Sequence, residues 1–190
     1  VARCIFGLDP YDSGEMWIDG QLFAPKHSVD AIEAGVALVP EDRARDGIVP
    51  LMSVKENLCL PSYLWISRLT WIDESKAEQI SRRYTQELSI KASSPETRVQ
   101  TLSGGNQQKV SVGKWLARDP KLLILDEPTR GIDVGAKTEV HSSIEALAKR
   151  GIAILMISSE LPEVLGISDR IVVLRGGRVT GEFANQEATQ

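Results

Sequence analysis

Apolar residues along this 190-residue chain follow three rhythms in succession. In "GEMWIDGQLF" they alternate with polar residues on both sides of Asp19-Gly20, a dipeptide whose two positions accept positive φ, so two short strands joined as a hairpin are predicted. Residues 1–6 read as the tail of a helix that Gly7 closes, with Pro10 preventing its continuation, so the chain is expected to begin inside an element. Ser28 is the expected cap of a short helix ending at Gly35, and residues 36–39 form a β-branched strand that stops at Pro40. The loop "PEDRARDG" then lies at the carboxyl end of that strand. Between residues 53 and 118 the strand signals vanish. Helical spacing through "AEQISRRYTQEL" replaces them, with capping boxes at Ser53 with Glu56 and Ser75 with Glu78. The third rhythm is a continuous apolar run, "LLIL", then a helix at 134–148, "AILMI", another helix and "IVVL". Buried strands alternating with helices predict an α/β fold with a parallel sheet covered on both faces, and the end, "IVVLRGGRVTGEF", reads as a hairpin about Gly176-Gly177. No internal repeat or low-complexity linker interrupts the pattern.

Composition changes this picture little. Hydrophobic residues make up 42% and charged residues 25%, the balance of an ordinary globular protein. A net charge of −4 provides no general basic field for phosphodiester backbones, which argues against nucleic acid as a partner. Cys4 and Cys59, the two cysteines, read as buried thiols in a reducing compartment, which predicts a cytoplasmic protein. No window approaches the apolar length of a membrane span, so a membrane role is expected to be peripheral.

Two clusters carry chemistry. "LLILDEPT" sets Asp126 and Glu127 immediately past a buried strand, where open α/β sheets bind their ligands. One carboxylate there can hold Mg²⁺ and its neighbour can take a proton from a water attacking a phosphoryl group; a solvated turn is the competing reading. In "TLSGGNQQKV", Ser103 is a good N-cap, and Gly104 and Gly105 expose amides at the partly positive start of a helix, with Gln107 and Lys109 continuing a polar face. That is either a phosphate grip or the cap of an ordinary helix.

Taken together, "LSGGNQQK" and "LLILDEPT" resemble the signature and Walker B motifs of ABC-type ATPases. The resemblance extends over almost the whole chain: "GEMWIDG" is similar to the family's antiparallel β region, "LVPE" to its Q-loop, residues 53–118 to its helical sub-domain, and "RGIDVGAK" to its D-loop. It implies a P-loop NTPase fold with residues 1–52 and 119–190 as the α/β core. "VPEDR", "DEPTRGIDVGAK" and "ISSELPE" further resemble the second nucleotide-binding domain of monosaccharide importers. By that resemblance Asp126 holds Mg²⁺ and Glu127 is the general base. Ser103, Gly104, Gly105 and Gln107 bind ATP held by a second domain packed head to tail, and Asp133 joins the two sites. Permease subunits, and through them a sugar-binding protein, are the implied partners at the cytoplasmic face of the membrane.

Departures from the family pattern matter as much. No G-x-x-x-x-G-K-[ST] loop occurs, and Gly113-Lys114 falls mid-helix, so the chain is expected to start just after the Walker A loop and its strand. Glu41 stands at the Q-loop glutamine position and is expected to add negative charge. Ser159 stands at the switch-histidine position, where it carries no charge. Both changes favour the alternative of a catalytically inert nucleotide-binding or regulatory domain. The aromatic stretch "YLWISRLTWI" reads mostly as packing of the helical insert, with docking of a membrane subunit as the rival reading. Arg130 is a solvated arginine or a partner for a phosphate or carboxylate, "EDRARD" a solvated loop, and His27 and His141 structural or exposed residues without metal-ligand spacing.

Overall fold

The computed structural model describes residues 1–68 and 71–184. Helix α1 (Ala2–Ile5) leads to Gly7, whose φ of +70° closes it; a Cβ there would lie 2.6 Å from the His27 carbonyl oxygen. Strands β1 (Met16–Ile18) and β2 (Gln21–Phe23) pair antiparallel across Asp19 and Gly20, both at positive φ (52° and 75°), as the turn chemistry predicts. Helix α2 (Ser28–Glu33) is capped one residue earlier than expected: His27 is the N-cap, and the Asp30 carboxylate reaches back to the amides of Lys26 and His27. Strand β3 (Val36–Val39) is buried along its whole length.

The segment "EDRARD" is not a plain solvated loop. Asp42 accepts from the amides of Ala44 and Arg45 and starts a π-helical turn, Arg43–Gly47, that packs against a later helix. Helices α3 (Val54–Cys59) and α4 (Tyr63–Ile66), strands β4 (Ser67–Arg68) and β5 (Trp71–Ile72), and helices α5 (Glu74–Glu87) and α6 (Gly104–Leu116) follow. The Ser53–Glu56 capping box forms as predicted. The Ser75–Glu78 box does not, because Asp73 caps α5 through the Lys76 amide and leaves Ser75 inside the first turn. The region is also not purely helical, since β4 and β5 pair antiparallel.

Strand β6 (Leu122–Asp126), helix α7 (Val134–Lys149) and strand β7 (Ala153–Ile157) form a β-α-β unit. β6 is central in a three-stranded parallel sheet ordered β3-β6-β7, pairing Leu38 with Ile124 and Leu125 with Met156. Leu123, Ile124 and Leu125 are fully buried, which is why "LLIL" reads as an unbroken apolar run. β7 is only half-buried, so the sheet is less covered on that side than expected.

Helix α8 (Leu161–Ile167) leads to β8 (Arg170–Arg175) and β9 (Arg178–Ala184), a hairpin with Gly176 and Gly177 both at positive φ. "IVVL" reads both as a buried strand of the sheet and as the first arm of a hairpin about Gly176-Gly177, and the hairpin forms. β8 pairs antiparallel with β9 among the described residues, and Ile171 is its one buried residue. One core runs from Val36, Val39 and Ile124 of the sheet through Leu58, Tyr84 and Val110 of the helices to Ile144 and Leu147 of α7.

Candidate functional site

The site is built where β6 ends. Asp126 pairs with Ile157 of β7, and the Glu127 amide donates to the Ile157 carbonyl at 2.8 Å, extending the ladder by one bond. The backbone then turns sharply, with Glu127 at φ 48°, a left-handed conformation that costs an L-residue about 1 kcal/mol or more. That turn delivers the Glu127 carboxylate to the segment after β7, where Oε1 accepts the Ser159 amide at 2.8 Å. Burial, followed by the neighbouring Glu127 charge, raises the Asp126 carboxyl above its ordinary value. A cation beside Asp126 would relieve that cost.

Among the described residues no group of three or more ligating side chains assembles. With Glu127 tied to the Ser159 amide, Asp126 is the carboxylate left at the strand end for a cation, which would suit Mg²⁺, an ion that keeps waters and substrate phosphate oxygens alongside one or two protein carboxylates.

The two departures from the expected pattern are both engaged. Glu41 forms an ion pair with Arg130, so its charge is balanced rather than added to the site. Arg130 thus takes the carboxylate role anticipated among its alternatives. Ser159 contributes its backbone N–H to Glu127.

Ser103 occupies the N-cap of α6 with an extended backbone, but its hydroxyl accepts the Asn106 side chain at 2.9 Å instead of a backbone amide. No side chain among the described residues caps the first amides of this 13-residue helix, and Ser103 is exposed. Its tip therefore offers N–H groups and the positive end of the helix dipole.

Gly105 has a packing reason as well, whereas at Gly104 the nearest atom is the flexible end of a side chain. A Cβ on Gly104 would lie 2.7 Å from Arg43 Nη2, and one on Gly105 would lie 2.8 Å from the Ala136 Cβ of α7. Arg43 Nη1 also donates to the Arg130 carbonyl at 2.9 Å, so the turn after β3 touches both the helix tip and the loop after Glu127.

Gln107 and Lys109 do not form the outward polar face that their spacing suggests. Gln107 Nε2 donates to the Val99 and Leu102 carbonyls and braces the turn before α6. Lys109 is buried and pairs with Glu139 of α7 at 2.6 Å. Asp133 caps α7 by accepting the Ala136 amide at 2.9 Å. Lys114, of the Gly113-Lys114 dipeptide, is buried against the Gly47 carbonyl and the Trp115 ring, which removes it as a phosphate lysine.

Sequence reasoning passed over Glu163. This carboxylate is buried in the first turn of α8, and its Oε1 accepts Thr129 Oγ1 at 2.9 Å and lies 2.7 Å from His141 Nε2. A glutamate within the apolar spacing of "LPEVLGI" was the available signal; its partners lie far away in sequence. The aromatic stretch also differs from expectation. Ile66 is buried and Tyr63 partly so, whereas Leu64 is 92%, Trp65 64% and Trp71 80% exposed; Leu69 and Thr70 lie outside the described residues.

Residues 1–130 match the model of the ABC transporter family. A ribose import ATP-binding protein of Bacillus licheniformis is 47% identical over 190 residues, covering all of this chain and 38% of the relative. A xylose import ATP-binding protein of Moorella thermoacetica is 52% identical over 191 residues, with the same coverage. The chain thus spans 38% of the length of these relatives. Among solved structures, a nucleotide-free ATP-binding cassette superposes with a TM-score of 0.83 at 21% identity, covering 96% of this chain and 74% of its own. A dimeric cassette bound to ADP and Pi gives 0.77 at 20% identity, covering 97% and 78%. Those two establish the fold, and with the family match and the curated relatives the conclusion follows that this chain belongs to the ABC transporter family.

Proposed function

We propose that this chain is the nucleotide-handling part of an ABC importer that drives monosaccharide uptake by hydrolysing ATP. The observation that carries the reading is the delivery of Glu127, by a left-handed turn off the central strand, onto the Ser159 amide beside Asp126. In this reading Asp126 holds Mg²⁺ on the domain's own nucleotide, where the ion supplies charge neutralisation of the phosphates. Glu127 accepts a proton from the attacking water, and its bond to Ser159 fixes where its free oxygen points.

Ser103, Gly104 and Gly105 close on the terminal phosphate of ATP held by a second, head-to-tail domain, with uncapped amides as the grip. Gln107 serves the same grip by holding its entry turn in shape. Asp133, at the head of α7, links the two sites. The partners are that second domain and membrane permease subunits, with a sugar-binding protein acting through them, at the cytoplasmic face of the membrane. The identities to ribose and xylose import proteins support the substrate class. No helix among the described residues is long and apolar enough to cross a membrane, which is consistent with a peripheral subunit.

A specific observation favours a second reading, an inert or regulatory domain. The position of the switch side chain is filled by a serine that offers a backbone amide, and the Q-loop position by a glutamate tied to Arg130. The full transporter carrying Glu127→Gln decides between them. Loss of a general base lowers ATP turnover by about a hundred-fold. Unchanged turnover means the inert domain instead.

A further inference from the structure

We propose that Glu163 is a positioning residue for Glu127, holding the segment that carries the Ser159 amide against the loop that follows Glu127. This role rests on the reading of Glu127 as the general base.

The argument begins with an expensive placement. Glu163 sits on a helix of seven residues, and its side chain is 3% exposed, where an ionised carboxylate is unfavourable unless hydrogen bonds compensate it. Two other segments supply them to Oε1, while Oε2 is buried without a hydrogen-bond partner among the described residues. Thr129 Oγ1 donates from the loop just past β6, and His141 Nε2 approaches the same oxygen from α7. Thr129 is itself fully buried, so its hydroxyl has no water to turn to. Burial alone would raise the Glu163 carboxyl, but interactions with Ser158, His141 and Thr129 outweigh it and hold the group below its ordinary range.

Together with the bond already described, these contacts close a ring. Glu127 Oε1 accepts the Ser159 amide, and the chain runs from Ser159 into the first turn of α8, where the Glu163 amide donates to the Glu160 carbonyl. Glu163 Oε1 then accepts Thr129, two residues along the chain from Glu127. Each member of the ring limits how far the Ser159 amide can drift from the base. Pro162 stiffens the link, since it falls in the first turn of α8 and fixes φ there. His141 adds a strut to α7, the helix that Asp133 caps. A carboxylate placed for stability alone has no need of both Thr129 and the switch segment, and an apolar residue would pack there at lower cost.

The test uses the full transporter, assayed for ATP turnover and for thermal unfolding. Glu163→Ala lowers kcat by about ten-fold to a hundred-fold, as a base displaced by an ångström does, while KM for ATP stays within about two-fold. Thr129→Val, which keeps shape and volume but removes the donor, lowers kcat by about ten-fold, and Thr129→Ser restores it. In a Glu127→Gln background neither substitution costs further turnover, because residues acting as one unit are not additive.

Full kcat in a folded Glu163→Ala or Thr129→Val protein overturns the proposal. So does a rise in KM with unchanged kcat, or a further multiplicative loss in the Glu127→Gln background. If Glu163→Ala does not fold, Thr129→Val and Thr129→Ser decide. Unchanged turnover in Glu127→Gln alone is a separate failure: it removes the base, and this role falls with it.

Discussion

Lys114 shows at the scale of one residue what burial does to a charge. Its dipeptide, Gly113-Lys114, lies mid-helix without the first glycine of a phosphate loop, and α6 carries the ammonium inward to the Gly47 carbonyl, which Ser111 also approaches at 3.3 Å. Burial pushes the amine from 10.5 down to about 8. The folded chain therefore releases a proton that the unfolded chain keeps between about pH 8 and 10.5, so stability rises with pH across that window. Below pH 8 the cost of the buried charge is fully present, on the order of 3 kcal/mol. Lys114→Met removes it and leaves Ser111 on the carbonyl. The melting temperature is expected to rise at pH 7, with the gain fading by pH 10.5; a lower melting temperature at pH 7 would show that the lysine's bond to Gly47 outweighs its desolvation.

Helix α6 shows how much of an element can be read before the fold is known, and where the reading stops. Its start at Ser103-Gly104-Gly105 and the capping box of α3 are local signals; the box forms as expected, and α6 starts where expected although the Ser103 hydroxyl bonds the Asn106 side chain instead of an amide. The hairpin at Asp19-Gly20 and the strand "LLIL" are legible for the same reason, since turn chemistry and unbroken apolarity act within a few residues. What failed was decided by distant chain. Lys109 reads as part of a ligand face until α7 brings Glu139 to it, and "IVVL" forms its predicted hairpin but lies mostly exposed. Asp126 and Glu127 are legible as a pair, but the Ser159 amide that holds the Glu127 carboxylate comes from beyond β7.

The glycines of α6 give a sharp prediction at this scale. Gly105→Ala gains about 1 kcal/mol of helix propensity. Its Cβ, however, meets the Ala136 Cβ at 2.8 Å, and Ala136 lies on a packed helix that cannot simply turn away. Overpacking of that kind costs about 1–3 kcal/mol, so denaturant unfolding is expected to shift toward lower stability. A stabilised Gly105→Ala chain with lost turnover would instead assign this glycine to ligand contact alone.

At the scale of the whole molecule, the departure from expectation is the surface of the helical region. Spacing alone cannot tell an aromatic stretch that fills a core from one that covers a partner, because both require apolar side chains. The fold separates them: α4 buries Ile66 beneath Cys59 and Ala77, while the β4–β5 ladder turns Trp71 outward. Arg118 stacks on the Trp65 ring at 3.9 Å, which holds that indole while leaving most of it exposed. Leu64, Trp65 and Trp71 so exposed are what a protein docked to a membrane subunit would present. Replacing Leu64 and Trp71 together with serine removes apolar surface without opening a cavity, so thermal unfolding should move by less than about 0.5 kcal/mol per site. If this surface meets the permease of the proposed importer, co-purification with it and ATP-driven uptake should each fall by about ten-fold, as the loss of anchors at the centre of an interface does. Intact assembly in that double variant would place the docking surface elsewhere on the chain, while a large loss of stability would return these side chains to the core.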